Sequence, residues 1–174
     1  MRKVLLSIAV LATLTGTAVA NVVRTDGKSD IQVAAAGNAT CRSATPAEAA
    51  HALAVTNAAR AAKGLQPMRL NARAQRAAEK HACEMAMRGV MTHAGTKAAG
   101  PSARMKAEGY RPRLVAENIA AGRFTLERTV QEWSASPGHL ANIVIPRVRD
   151  FGVGYAVGAD GRTIFYAAVY GQPR

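Results

Sequence analysis

Three observations predict an α+β fold, a small antiparallel sheet with helices packed on it. Helical periodicity dominates residues 45–143, period-two alternation is concentrated in 151–157 and 163–170, and no strand–helix–strand alternation appears. The 174 residues suit one domain plus extras. Hydrophobic residues make up 49% but aromatics only 5%, so the core must be built from Ala, Val, Leu, Ile and Met, which lets helices pack closely.

The first twenty residues read as a signal peptide. Arg2 and Lys3 form a basic start, and Val4 to Val19 is apolar but short and interrupted by Thr and Gly. Ala18-Val19-Ala20 fits the small-x-small cleavage pattern. The mature chain then starts at Asn21 and is exported, to the periplasm or the medium, with no transmembrane span after cleavage; an uncleaved anchor is the alternative. Residues 21–42 lack a sustained period and read as a mobile leader to a domain spanning 43–174. Cys41 and Cys83 are an even pair in an exported chain, which favours a disulfide over two free thiols.

Thr45-Pro46-Ala47-Glu48 opens the first helix, with Thr at the N-cap and Glu placed for a capping box. That helix runs to about Lys63 and stops at Gly64. Leu65 to Leu70 is an extended connection. Asn71 caps a second helix that ends at Gly89, with an inner stripe of Ala74, Ala77, Ala78, His81, Ala82, Met85 and Ala86. A lone His on such a stripe reads as a core residue. His93 lies in the loop that follows. Pro101-Ser102 starts a short helix closed by Gly109, and Tyr110 to Leu114 is basic and broken by Pro112. Val115 to Ala121 is extended. Thr125 caps a helix carrying Leu126, Val130 and Trp133 on one apolar face, and Ser136-Pro137 starts a last short helix. Phe151 to Val157 and Thr163 to Tyr170 form a β-hairpin around Asp160-Gly161.

The formal charge of +12 favours acidic partners: envelope polymers, anionic lipid headgroups or nucleic acid. Arg69, Arg73, Arg76 and Lys80 fall at spacings that line one helix face. No basic-aromatic interleaving marks a nucleic-acid platform, so no specific nucleic-acid binding is expected.

The polar groups inside apolar runs carry the chemistry. They are Glu117-Asn118 within Val115–Ala121, and His139 after the Pro137-Gly138 break. Ser136 admits two roles, a nucleophile beside His139 or, preferred, a helix cap. Asn118 and Asn142 are expected to brace loops by hydrogen bonds to backbone. Trp133 reads as core, and Glu117 has the bland alternative of a structural lock on a His.

Taken together, several short motifs resemble the CAP superfamily, the cysteine-rich secretory, antigen 5 and pathogenesis-related proteins. The motifs are Asn57-x-x-Arg60, Gly64-Leu65 with Pro67, His81-Ala82, Thr92-His93, Gly109-Tyr110, Glu117-Asn118-Ile119-Ala120, Trp133-x-x-Ser136-x-Gly138-His139, Asn142-Ile143 and Gly152-Val153-Gly154. The likeness is greatest to the short bacterial exported branch of SCP-type domains and covers about residues 48–170. It implies an α-β-α sandwich with a central cleft that often holds two His and two acidic residues, sometimes with a divalent metal. His93, Glu117 and His139 match three of those four; Ser136 stands where the second acidic residue is expected. Two imidazoles and a carboxylate are a chemically reasonable set for Zn²⁺ with one position open. Two functions follow, beside a third that needs no cleft, nucleic-acid or anionic-lipid binding through charge alone. One is an exported binding module for an envelope component, lipid or small molecule. The alternative is a metal-dependent hydrolase of peptidase or nuclease type, with Glu117 as ligand or general base.

Overall fold

The computed structural model describes residues 30–174. The expected signal peptide and residues 21–29 lie outside the described residues. In chain order the elements are β1 (Ile31–Gln32), β2 (Thr40–Arg42), α1 (Pro46–Ala61), β3 (Arg69–Leu70), α2 (Ala72–Arg88), β4 (Val90–Met91), α3 (Pro101–Ala107), β5 (Pro112–Gly122), α4 (Leu126–Ala135), α5 (Pro137–Ile143), β6 (Asp150–Val157) and β7 (Ile164–Pro173).

Local chemistry sets most boundaries. The Thr45 hydroxyl accepts from the Glu48 amide at 3.2 Å and the Glu48 carboxylate accepts from the Thr45 amide at 2.8 Å, a complete capping box. Asn71 and Thr125 cap α2 and α4 through their side chains. Gly89 ends α2 in the left-handed conformation, which a residue without Cβ adopts at little cost.

β5, β7 and β6 lie side by side and antiparallel, with β7 between the other two, and β2 and β3 share the far edge of β6. β2 pairs antiparallel and β3 parallel, so the sheet is antiparallel apart from one short pair. A separate ribbon joins β1 to β4. Alternation along β7 divides the core in two. Phe165, Ala167 and Val169 face the cluster made by α2, Met105 and Tyr110. Tyr166, Ala168 and Tyr170 face the cluster that holds Trp133, Ile143 and the inner residues of α1. The architecture is an α+β sandwich, with helices on both faces of the sheet.

The alanine stripe of α2 and the glycines of β6 have one cause. A Cβ on Gly152 would lie 2.2 Å from the Ala74 carbonyl carbon, and one on Gly154 would lie 2.4 Å from the Glu79 backbone. The helix backbone rests directly on the strand, and only small residues permit that approach. On the other face, Asn57 exchanges two hydrogen bonds with the Met68 backbone, at 3.0 and 2.8 Å. Arg60 is fully buried and donates to the carbonyls of Gln66, Ile143, Ile145 and Val148. It thereby satisfies the carbonyls left open where α5 ends.

Three local expectations change. The later part of the expected leader is docked: β1 pairs with β4 and β2 with β6, because edge backbone that finds a partner is ordered by it. Pro112 does not interrupt the segment after Tyr110 but begins β5, at a register shift between Pro112 and Leu114 where a missing N–H is tolerated. Arg69 lies in β3, before the helix, and binds Asp150 at 2.9 Å, so the basic face of α2 begins at Arg73.

Cys41 and Cys83 form a disulfide that clips β2 onto α2 across 42 residues. Thiol titration of unreduced protein should find no free cysteine. Replacing both with Ser should lower the unfolding free energy in urea by about 2–4 kcal/mol, since the bond restricts the unfolded chain.

Candidate functional site

Glu117 and Asn118 are neighbours on β5, so their side chains leave opposite faces of the sheet. Glu117 points toward α2 and α3. Its Oε1 accepts from His93 Nδ1 at 2.8 Å and from Arg104 Nη2 at 2.8 Å, and its Oε2 accepts from the same Nη2 at 2.6 Å. Arg104 Nη1 donates to the His93 carbonyl at 3.0 Å, so one guanidinium holds both the carboxylate and the loop that carries the imidazole. Glu117 is 5% exposed and Arg104 7%, which makes this a buried ion pair.

His81 completes the cluster from below. It is fully buried; its Nε2 donates to the Thr92 carbonyl at 2.8 Å and lies 3.7 Å from Glu117 Oε1. A carbonyl only accepts, so Nε2 carries the proton and Nδ1 keeps its lone pair. Nδ1 has no partner among the described residues. Protonating it would bury both a charge and an unmatched donor. Burial, the largest influence, accordingly holds the His81 imidazole below its ordinary value of 6.5, against the pull of Glu117. Burial alone would push the Glu117 carboxyl up. The His93 hydrogen bond and the Arg104 guanidinium outweigh it, and the carboxyl rests below its ordinary 4.5. Since His81 is neutral, the compensating charge is that of Arg104.

The other face of β5 positions His139. Asn118 is fully buried and donates to the His139 carbonyl at 3.1 Å and to the Tyr170 hydroxyl at 3.0 Å. Asn142 donates to Asn118 Oδ1 at 2.8 Å and to the Glu117 carbonyl at 3.1 Å. The two amides therefore lash α5 to the strand. The His139 ring is tilted over buried Trp133, with centroids 6.4 Å apart. Ser136 occupies the cap position of α5, but its hydroxyl makes no cap hydrogen bond and instead meets His139 Nδ1 at 3.1 Å. The expected capping is thus corrected to a side-chain contact, because the imidazole three residues on competes with the backbone for the same oxygen.

His93 and Glu117 come together as a hydrogen-bonded pair; His139 is built onto the opposite side of β5 through α5. Among the described residues, no three of His, Cys, Asp or Glu gather so as to hold a metal ion. The donor chemistry gives the reason. Both Glu117 oxygens are engaged by Arg104 and His93, and a guanidinium already supplies the positive charge that a cation would bring. The set does not fit a divalent metal at Glu117. Arg104 was not legible in the sequence, where it is one basic residue on a short polar helix. His81 was visible on its stripe but not separable from a core histidine.

Known proteins share both the sequence pattern and the fold. The model of the cysteine-rich secretory protein family, CAP, matches residues 53–170. The chain belongs to the CAP family. This CAP domain is 33% identical over 101 residues to the uncharacterized protein YkwD of Bacillus subtilis (strain 168), covering 58% of this chain and 39% of that protein. The chain thus spans well under half of that relative's length. Its fold is similar to an extracellular protein containing a SCP domain from Bacillus anthracis str. Ames, with TM-score 0.64 and 21% identity over 74% of this chain and 44% of that one. It is also similar to an outer surface protein from Borrelia burgdorferi, with TM-score 0.65 and 20% identity over 79% of this chain and 99% of that one.

Glu117→Gln leaves the Arg104 guanidinium buried without its counter-charge. The substitution should cost about 3–5 kcal/mol in urea unfolding, and Glu117→Gln combined with Arg104→Met should recover a large part of that loss. The pH dependence follows from both shifted groups. The unfolded chain protonates His81 near its ordinary 6.5 while the folded chain does not, so stability is full above that value and declines below it. The Glu117 contribution is present above 4.5 and is lost as pH falls through its lower folded value. Unfolding free energy should therefore decrease from about pH 7 to pH 5, and His81→Gln should flatten that slope.

Proposed function

We propose that this CAP domain is an exported, non-catalytic binding module, active in the periplasm or outside the cell, that takes an envelope component, lipid or small molecule at His93 and His139, which flank the edge strand β5 from its two sides. The observation that supports it best is the engagement of both Glu117 oxygens. A carboxylate held in a buried ion pair, with its proton affinity reduced, is a poor general base. Its role is to hold the His93 ring by Nδ1. In the neutral ring this leaves Nε2 as an acceptor for a ligand donor. Both imidazoles are partly exposed, whereas Glu117, Arg104 and Asn118 behind them are buried.

The described relatives support export. One is an extracellular protein and another an outer surface protein. No helix among the described residues is long and apolar enough to cross a membrane.

The metal-dependent hydrolase requires a cation at Glu117 and fares worse on the same observation. Calorimetric titration of the mature protein with Zn²⁺ should show no site tighter than about 10 μM. Binding at that strength or better, abolished by His93→Ala and by Glu117→Gln, would overturn the binding-module reading and restore the hydrolase.

A further inference from the structure

The basic face that is legible in the sequence acquires a shape in the fold. At the end of the sheet where β5 begins, a hollow of about 670 Å³ is lined by Lys106, Gly109, Tyr110, Arg111, Pro112 and Arg174. None of these lining residues is acidic. Lys106, Arg111 and Arg174 are exposed, and Arg174 is joined to this rim by its amide, which donates to the Arg111 carbonyl at 2.9 Å.

α2 extends the positive field beside the hollow. The Arg73 Nε lies 3.7 Å from where a Cβ on Gly109 would stand. Arg76 and Lys80 both bind Glu108, at 3.0 and 2.6 Å, so two cations share one carboxylate at the rim. That arrangement holds the Glu108 carboxyl below its ordinary range, chiefly through the Lys80 hydrogen bond, and leaves an excess of positive charge. Lys106, Arg111 and Arg174 of the lining and Arg73, Arg76 and Lys80 of α2 are all exposed, while the acidic groups nearby, Glu108 and buried Asp150, are each already bonded. Cations gathered round a concavity repel one another, and an anion seated among them relieves that repulsion.

We infer that this hollow is a second binding site, separate from the His93 surface, for an acidic polysaccharide bearing carboxylate or phosphate groups. Shape and composition favour that class. A membrane surface is bound best by a convex face with apolar anchors, but here the site is concave, and the exposed large hydrophobics among the described residues, Leu70 and Met87, do not line it. Single-stranded nucleic acid requires exposed aromatic platforms, yet Tyr110, the aromatic residue of the lining, is 4% exposed and its hydroxyl donates to buried Asp150 at 2.7 Å. A charged sugar chain needs neither. Guanidinium groups at a hollow suit carboxylates and phosphates alike, and a cavity of this volume accommodates a few sugar units. The site lies roughly 17 Å along β5 from Glu117, so it does not depend on the proposed role of the cleft.

The test uses the mature chain and immobilised polygalacturonate and phosphomannan, with neutral dextran as the uncharged reference. Binding to at least one charged polymer, none to dextran, and a loss of at least tenfold in the Arg111→Ala/Arg174→Ala variant are expected. A control variant, Arg123→Ala/Arg162→Ala, removes the same charge near the far end of β5, and should lose less than threefold. Unchanged melting of the two arginine variants shows that folding is not the cause. Equal losses in both would reduce the effect to net charge and overturn the site. Binding to neither polymer, or preference for duplex DNA or for vesicles of phosphatidylcholine with phosphatidylglycerol, would overturn the assignment to a polysaccharide.

Discussion

A carboxylate enclosed by a sheet and two helices needs a counter-charge and several donors, and the region around Glu117 is arranged to supply them. Arg104 reaches from α3 with one nitrogen on both oxygens and another on the carbonyl of the loop that carries His93. The imidazole of that loop completes the shell, and His81 closes it from α2 as a neutral donor held by Thr92. Because a buried charge left alone costs several kcal/mol, these groups hold the loop between β4 and α3 against the sheet. In the proposed binding role the pair acts as a fastening, and what it fastens is the orientation of His93.

The opposite face of β5 uses neutral amides for the same mechanical purpose. Asn118 and Asn142 join the strand to α5, while Arg60 satisfies the carbonyls around the end of that helix. A seven-residue helix has little stability of its own, so side-chain donors from neighbouring elements determine where it sits. His139 inherits its place from this bracing and from the Trp133 ring beneath it. The two histidines of the proposed surface are thus fixed by different physics, one through a buried ion pair and one through amide hydrogen bonds.

Much of the fold was legible because it rests on local rules. Thr45 with Glu48, Asn71 with Gly89, and Thr125 announce helix ends through capping chemistry, and Asp160-Gly161 announces the hairpin. The docking of residues 31–42 was not legible, since two- and three-residue strands carry no periodicity and owe their order to β4 and β6. The parallel contact of β3 was hidden for the same reason.

The site divides along a similar line. By itself the sequence determined the CAP motifs, the pairing-competent cysteines, the unusual Glu117-Asn118 run and the basic face, because residue type and short spacing encode them. Only the tertiary structure decided that Glu117 is neutralised by Arg104, that His81 belongs beside it, and that Ser136 turns to His139. It also decided that Lys106, Arg111 and Arg174 meet at a hollow at the start of β5. Those outcomes depend on which side chains meet across distant elements. Burial then sets the energy of each charge, and local sequence carries no record of burial.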